Sequence, residues 1–405
     1  MKKYGLMILA LLLIITLLGC SAEVASPPVE TPSPDSLAET VAEPQTETLP
    51  DIPVDYTVEI TEELIDGIIG ATYKKPKNVI LMIGDGMGPN DIIISETYSG
   101  EAYPFGFVMN KLEHHGFAET VSANSSVTDS AASGTALATG FKTNNGYIGL
   151  LPDETVVKNL SELARESGKL VGIVTDDNIY GATPSSFVTH CISRDEYGQL
   201  TDGILKFAPD VLIGSDYDSV KQMLTADGSA VLKNGYVIAE STRLFDEKAA
   251  LCVEGGKKFA GFNGGCRKVA SDHLAVSTKA ALELLKNDNG FFLMIEGCGT
   301  DVYGHGNDIQ GKMSSVANLD KAVAAVLLFM KNNPDTLLVI TSDHETGGVK
   351  LPDSADQVTN ALFTRTSHSS TNVRVFALGQ GSEYFNGKTV DNTDIAKFLQ
   401  NAING

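Results

Sequence analysis

Read for where its apolar residues fall, the chain separates into short continuous hydrophobic runs and longer mixed stretches. Residues 78–83 (Asn-Val-Ile-Leu-Met-Ile), 170–175, 291–295, 336–341 and 373–378 are apolar almost without a break, and 211–213 is a shorter run of the same kind. Runs of about four to eight such residues, bounded by turn formers, predict strands buried on both faces. Between them lie segments that predict helices: 61–69, with Thr61 placed to cap it and Glu62-Glu63 in its first turn, then 154–167, 272–286 and 314–331. Strands alternating with helices predict an α/β fold, a mostly parallel central sheet with helices on both faces. No internal repeat and no second linker interrupts residues 56–405, read as one large domain within which 215–270 form an insertion or subdomain.

The amino-terminal region obeys a different pattern. Lys2-Lys3 precedes an apolar run over 6–18, too short for a membrane span and flanked like an export signal. The run ends Leu17-Leu18-Gly19-Cys20, which resembles the processing site of bacterial lipoproteins, with cleavage before Cys20 and lipid on its sulfur. A plain secretory signal with an incidental cysteine is the alternative. Either way the mature chain is expected to be exported, and lipidation would anchor it to the membrane. Residues 1–19 are thus read as the signal peptide and 20–55 as a tether. From residue 21 to residue 70 there are twelve Asp or Glu and no Lys or Arg, with prolines at 27, 28, 32, 34, 44, 50 and 53. That composition predicts an acidic, disordered linker.

Charge narrows the partners. The formal net charge is −21, of which residues 21–70 carry −12 and residues 71–405 about −11, with Lys2 and Lys3 adding +2. No nucleic-acid surface is expected. A moderately acidic body suits a site built from carboxylates and neutralised by bound cations. Besides Cys20 there are Cys191, Cys252, Cys266 and Cys298, without a CxxC pair, which argues against a thiolate zinc site. Cys252 and Cys266 flank a glycine-rich loop and are candidates for a disulfide outside the cell.

In open α/β sheets, ligands gather beyond the carboxyl ends of the strands. Asp85 follows the run 78–83, Glu296 follows 291–295, and Asp343 and His344 follow 336–341. Carboxylates converging on one buried rim repel one another and call for metal cations. Asp301 and His305 are four apart, so one helical turn would face both the same way, a workable oxygen and imidazole pair for zinc. His368 stands just before the last predicted strand, whereas His114, His115, His190 and His273 have no such context. Ser130 directly follows Asp129 and opens a run of small residues, Ala131-Ala132-Ser133-Gly134-Thr135-Ala136-Leu137-Ala138, that predicts the first turns of a helix. Unpaired N–H groups and the positive end of the helix dipole favour an anion there. A serine hydroxyl at such a place is poised to attack a phosphoryl or acyl group. The alternative is that Asp129 or Ser130 only caps the helix.

These motifs, in this order over residues 78 to 380, resemble those of the alkaline phosphatase family. Asp85 in Ile83-Gly84-Asp85-Gly86-Met87-Gly88 matches the family's bridging metal carboxylate. Asp129-Ser130-Ala131 matches the nucleophile signature, with Ser130 the residue that is phosphorylated, and Thr139-Gly140-Phe141-Lys142-Thr143-Asn144-Asn145-Gly146 matches the stretch after it. Ala182-Thr183-Pro184 and Ser193-Arg194 match the segment carrying a magnesium-ligand threonine and the phosphate-binding arginine. Glu296, Asp301 and His305 match a magnesium ligand and two zinc ligands; Asp343-His344 match the second zinc's pair, and His368 the last ligand of the first zinc.

The resemblance implies hydrolysis of small phosphate monoesters through a phosphoserine, with two zinc ions and one magnesium. One zinc, on Asp301, His305 and His368, would polarise the leaving group and later activate a water; the other, on Asp85, Asp343 and His344, would hold Ser130 as its alkoxide. Magnesium would take Asp85, Thr183 and Glu296. Arg194 would grip two phosphate oxygens with its planar fork. The family contains dimers and monomers, so a homodimer is one expectation. Two positions depart from the pattern: family members usually carry Asp or His where this chain has Gly181, and Lys, His or Trp where it has Val302. Either a water takes the missing third-metal ligand's place, or Asp176 or Asp177 does. A phosphodiesterase or sulfatase of the same superfamily is the alternative enzyme, but Ser130 followed by Ala131-Ala132, with Arg194 present, favours a monoesterase. A lipoprotein that merely binds and delivers phosphate or metal would not need the nucleophile.

Overall fold

The apolar runs become the middle of a single ten-stranded sheet in a computed structural model that describes residues 61–98, 106–218, 220, 235–267 and 272–405. The expected signal peptide, Cys20 and the tether lie outside the described residues. The strands are β1 (Asn78–Gly84), β2 (His114–Glu119), β3 (Leu170–Asn178), β4 (Val211–Ser215), β5 (Tyr236–Ala239), β6 (Lys258–Phe262), β7 (Phe291–Gly297), β8 (Thr336–Thr341), a two-residue pair β9 (Glu345–Thr346) and β10 (His368–Ser369), then β11 (Val373–Leu378) and β12 (Thr389–Asp391). Their order across the main sheet is β12-β2-β11-β8-β1-β7-β3-β4-β6-β5. Neighbours run parallel except where β11 meets β2 and β8.

The burial pattern explains the continuous runs. In the central strands Ile80, Met82, Leu293, Ile295, Leu338 and Ile340 point into one core, while Val79, Leu81, Ile83, Phe292, Met294, Leu337 and Val339 point into another. Both faces are dry, so both alternating sets must be apolar. Helices α1 (Glu62–Ile69), α8 (His273–Leu284) and α10 (Ile309–Asn332) line the first core; α4 (Leu160–Glu166), α6 (Tyr197–Phe207) and α11 (Asn392–Asn404) line the second. Among the described residues, further α-helices are α2 (Pro89–Tyr98), α3 (Ser130–Thr139), the short α5 (Ala182–Ser186), α7 (Phe245–Gly255) and α9 (Gly299–His305).

Local chemistry moves two predicted helix starts. The helix expected over 154–167 begins only at Leu160, because Asn159 and Glu162 form a reciprocal capping box there, and Glu154 turns the preceding chain with φ 68°. The helix expected over 314–331 begins earlier, at Ile309, where the Asp308 side chain accepts the Gly311 N–H. Residues 215–270 contribute β5 and β6 to the edge of the main sheet, beyond β4, with α7 between them. Cys252 and Cys266 are not joined: both are free thiols, Cys252 Sγ lies 3.4 Å from the Lys258 carbonyl, and Cys266 sits beside Cys298 instead.

One buried ion pair underlies the carboxyl ends of the central strands. Lys312 on α10 and Asp91 on α2 each have side chains 1% exposed and meet at 2.6 Å. The same ammonium donates to the carbonyls of Thr346 at 2.6 Å and Gly86 at 3.1 Å, tying together the loops that leave β1 and β8. Burial lifts the Asp91 carboxyl to about 6 against the pull of Lys312 and the Gly88 N–H. Removing one member of such a pair strands the other charge. Lys312→Met is therefore expected to cost about 3–5 kcal/mol in urea unfolding at pH 7, and pairing it with Asp91→Leu is expected to recover most of the loss.

Candidate active site

Helix α3 is entered through a cap that also organises the site. Asp129, in extended backbone, accepts the Ala132 N–H on Oδ1 at 2.9 Å, so Ser130 is the first helical residue. Asp129 Oδ2 takes the Gly146 N–H at 3.0 Å and an Arg194 guanidinium N–H at 3.2 Å. The capping role thus belongs to Asp129, and it leaves the Ser130 hydroxyl free to face inward. Ser133, one turn on, donates to the Asp343 carbonyl at 2.7 Å and accepts from Asn392 at 3.0 Å, which locks α3 against the loop after β8.

The carboxyl ends of β8, β1 and β7 bring the predicted ligands together. Asp85, Asp343 and His344 offer donor atoms that all lie within 4.8 Å of one another, as do Asp301, His344 and His368. His305 joins the second group: its Nε2 is 3.4 Å from Asp301 Oδ1 and 3.1 Å from His368 Nε2. His344 Nε2 stands among Ser130 Oγ at 3.3 Å, Asp343 Oδ2 at 3.2 Å and Asp85 Oδ1 at 3.5 Å. Gly86 permits this crowding: its φ is +68°, and a Cβ there would fall 2.7 Å from the Asp301 Cα. Glu296, at the end of β7, accepts the Thr175 hydroxyl at 2.5 Å and has Thr183, from α5, beside it.

The hydrogen bonds of the imidazoles reveal what this cluster lacks. A carbonyl only accepts, so His305 Nδ1, 2.7 Å from the Thr366 carbonyl, and His368 Nδ1, 2.9 Å from the Thr128 carbonyl, carry the protons. Thr346 gives its hydroxyl proton to Asp301 at 2.5 Å, so His344 Nδ1, 3.2 Å from the same oxygen, must donate to it. With the protons on Nδ1, all three rings turn Nε2 toward carboxylate oxygens or each other. Asp85 Oδ1, Asp343 Oδ2 and Thr183 Oγ1 are buried without a hydrogen-bond donor. Converging lone pairs with fixed tautomers are the donor set of a metal centre, and they fit zinc and magnesium chemistry.

Electrostatics agree. Burial, then Asp343, Asp301 and Glu296, push the Asp85 carboxyl well above the usual range, with Arg194 pulling it back. Burial, chiefly, lifts Asp343 to about 6. Burial, then Asp177, raises Glu296. Burial depresses His344 to about 3, with His368 adding to it, so this ring is a poor proton acceptor for Ser130. Burial alone would raise Asp301, but His368, His344 and Thr346 hold it far below the usual carboxylate range. Arg194 is kept firmly cationic: burial opposes its charge, while Asp129, Asp85 and Asp343 outweigh that.

Every residue expected at the site from sequence lies on this rim, with Asp85, Ser130, Thr183, Arg194, Glu296, Asp301, His305, Asp343, His344 and His368 contributed by strand ends and by the loops and helices beside them. Sequence reasoning missed Thr346, Lys312 and the hold of Asp129 on Arg194. Thr346 had a signal, since it stands two residues after His344 on the same loop. Lys312 had none, because a lysine inside an amphipathic helix reads as solvated.

The fold and its rim define an α/β enzyme built to receive an anion beside a helix-start serine. A family model for alkaline phosphatase matches residues 76–226 and 267–355, and the chain belongs to the alkaline phosphatase family. Alkaline phosphatase H of Pseudomonas aeruginosa (strain UCBPP-PA14) is 29% identical over 409 residues, covering 82% of this chain and 86% of its own. Alkaline phosphatase 3 of Bacillus subtilis (strain 168) is 31% identical over 352 residues, covering 81% and 71%. The structure of alkaline phosphatase from the Antarctic bacterium TAB5 matches with TM-score 0.70 at 29% identity, over 82% of this chain and 98% of that one. A mutant of the TAB5 enzyme, matching with TM-score 0.69 at 28% identity over 82% and 99%, has magnesium bound in its M3 site. The chain is accordingly an alkaline phosphatase enzyme, of the class that hydrolyses phosphate monoesters.

The carboxyls raised at this rim give a pH signature. A group whose folded value lies above its unfolded one stabilises the fold below the unfolded value and loses that contribution as pH rises through the folded one. Asp343, between its ordinary 3.8 and about 6, acts in this direction, as do Asp85 and Glu296; His344, depressed to about 3, opposes them. Metal-stripped protein is expected to lose melting temperature from pH 5 to pH 7.5 in differential scanning fluorimetry. Zinc added at pH 7.5 is expected to reverse the loss.

Proposed function

We propose that the enzyme is a metal-dependent phosphomonoesterase that works through a phosphoserine on Ser130, with two zinc ions and one magnesium. The observation that carries this reading is the Ser130 hydroxyl, 3.3 Å from His344 Nε2, at the mouth of a cluster whose imidazole lone pairs and orphaned carboxylate oxygens all face inward. Asp301, His305 and His368 would hold one zinc, and Asp85, Asp343 and His344 the other. Asp85, Thr183 and Glu296 would hold magnesium, the metal bound in the TAB5 mutant's M3 site. When bound, these ions supply Lewis-acid stabilisation of the attacking and leaving oxygens and offset the carboxylate charge.

The protein's own groups do the rest. Arg194 exchanges its Asp129 partner for two phosphate oxygens and so orients the phosphorus toward Ser130. Ser130 Oγ attacks, the ester oxygen leaves, and the phosphoryl group rests on the serine until water displaces it. Free backbone N–H groups at the start of α3 add donors for the phosphate. The grip is on the phosphate alone, which favours broad use of small monoesters. His344 Nδ1 is held by Thr346, and burial makes its Nε2 a poor acceptor for the serine proton, so the serine does not belong to a Ser-His dyad.

Hydrolysis of p-nitrophenyl phosphate is expected to rise above about pH 8, to vanish with chelator and to exceed hydrolysis of bis-p-nitrophenyl phosphate. Faster diester turnover would point to the phosphodiesterase reading instead. Ser130→Ala is expected to lower kcat at least about 10³-fold, and Arg194→Ala to lower kcat/KM about 10- to 150-fold, the worth of a lost charged hydrogen bond.

We further propose that the chain is exported and anchored through lipid on Cys20, on the strength of the Leu17-Leu18-Gly19-Cys20 motif. Cells fed radiolabelled palmitate should label the wild-type protein, and Cys20→Ser should abolish the label. Persistent labelling of that variant would refute the anchor.

A further inference from the structure

The third-metal site of this chain lacks a side chain at Gly181, and the backbone does not account for that. Gly181 has φ −54° and ψ 160°, extended backbone that any residue adopts. Space accounts for it. A Cβ at Gly181 would fall 2.3 Å from Asp177 Oδ2 and 3.2 Å from Asp177 Cγ. The Asp177 carboxylate already fills the volume into which a residue at 181 would project.

We infer that Asp177 supplies the carboxylate that Gly181 lacks, and that magnesium is held by Asp177 together with Asp85, Thr183 and Glu296. This rests on the metal-dependent reading proposed above. The end of β3 delivers the group: its pairing with β4 shifts register between Val174 and Asn178, an irregularity that re-aims the side chains after Thr175. The Asp177 N–H donates to Thr175 Oγ1 at 2.8 Å, and that hydroxyl donates to Glu296 at 2.5 Å, so Asp177 and Glu296 are fixed on one short relay. Asp177 is also the strongest charged neighbour acting on buried Glu296. Thr183, 1% exposed, leaves its Oγ1 without a well-formed hydrogen bond beside Glu296. Two close carboxylates and a buried hydroxyl, with the nearby Arg194 engaged by Asp129, form the oxygen-rich surrounding that magnesium takes.

The neighbouring carboxylate does not compete for this role. Asp176 points the other way: its Oδ1 accepts the Cys298 N–H at 2.6 Å, and its carbonyl accepts the Cys266 N–H at 3.0 Å. It braces the turn between Glu296 and Asp301, which leaves Asp177 as the acidic residue of the pair that faces the metal site.

The test is metal content by plasma mass spectrometry, with magnesium affinity by calorimetry, on protein already loaded with zinc. Wild type is expected to hold zinc and magnesium. Asp177→Asn, nearly the same shape, is expected to keep its zinc and to lose at least about tenfold in magnesium affinity, the least that loss of an outer partner costs a metal site. Moving the carboxylate, as Asp177→Gly with Gly181→Asp, is expected to restore magnesium binding. Gly181→Asp alone sets a Cβ against the Asp177 carboxylate and is expected to lower the melting temperature. Undiminished magnesium affinity in Asp177→Asn would overturn the inference, as would wild type that binds zinc but no magnesium. Wild type that takes up neither metal would overturn the metal-dependent reading beneath it. Should Asp177→Asn fail to fold, the relocated pair decides: a folded, zinc-loaded double variant that binds no magnesium also overturns the inference.

Discussion

Like charges buried side by side are the constraint on which this structure turns. Parallel strands all end on one side of the sheet, so the order β8-β1-β7-β3 is also the order in which Asp343, Asp85, Glu296 and Asp177 reach the rim. Strands lie roughly 4.8 Å apart, a distance at which carboxylates in a poorly solvated rim repel strongly. The topology forces that spacing, and side-chain choice cannot relax it. Protonation, arginine and metal are the available remedies, and the elevated carboxyls, Arg194 and the inward-facing imidazoles are signs of all three.

Holding such a cluster in one geometry needs rigid surroundings, and main-chain groups furnish most of them. Asp343 Oδ1 accepts two backbone N–H bonds, from Gly86 and His344. Three imidazoles are fixed in one tautomer, two by carbonyls and one by a threonine hydroxyl whose proton is already given away. Lys312 clamps the loops from beneath, and Ser133 ties helix α3 to the Asp343 carbonyl. Preorganisation of this kind means that little needs to move when charge develops on a phosphate.

Much of this was legible in the sequence because the chemistry sits at strand ends, and strands buried on both faces announce themselves as unbroken apolar runs. Strands β12 and β5 at the sheet's edges, and β2 and β6 next to them, escaped notice, since short or half-exposed strands leave no such run; β2 alternates buried and open positions and carries two histidines. The helix at 154–167 was drawn too long because residue propensity cannot sense that Asn159 and Glu162 close on each other. Cysteine pairing misled for a similar reason: Cys252 and Cys266 are close along the chain, but folding sets Cys266 against Cys298, from a distant segment. Whether Asp176 or Asp177 faces the rim is a matter of strand register, and a one-residue change in register reverses which side chain points where.

The Arg194–Asp129 pair has a further bearing on turnover. In the resting site the guanidinium is already neutralised by a resident carboxylate, in the manner of an internal stand-in for phosphate. On the proposed role of Arg194, a phosphate that binds would have to displace that stand-in, so the same amount would be subtracted from its affinity whether it arrives on an ester or departs as the free ion. Once the product left, Asp129 would reclaim the arginine and no bare cation would remain. Because the subtraction is equal for substrate and product, it leaves their competition for the site unchanged and instead keeps either from being held too tightly to leave.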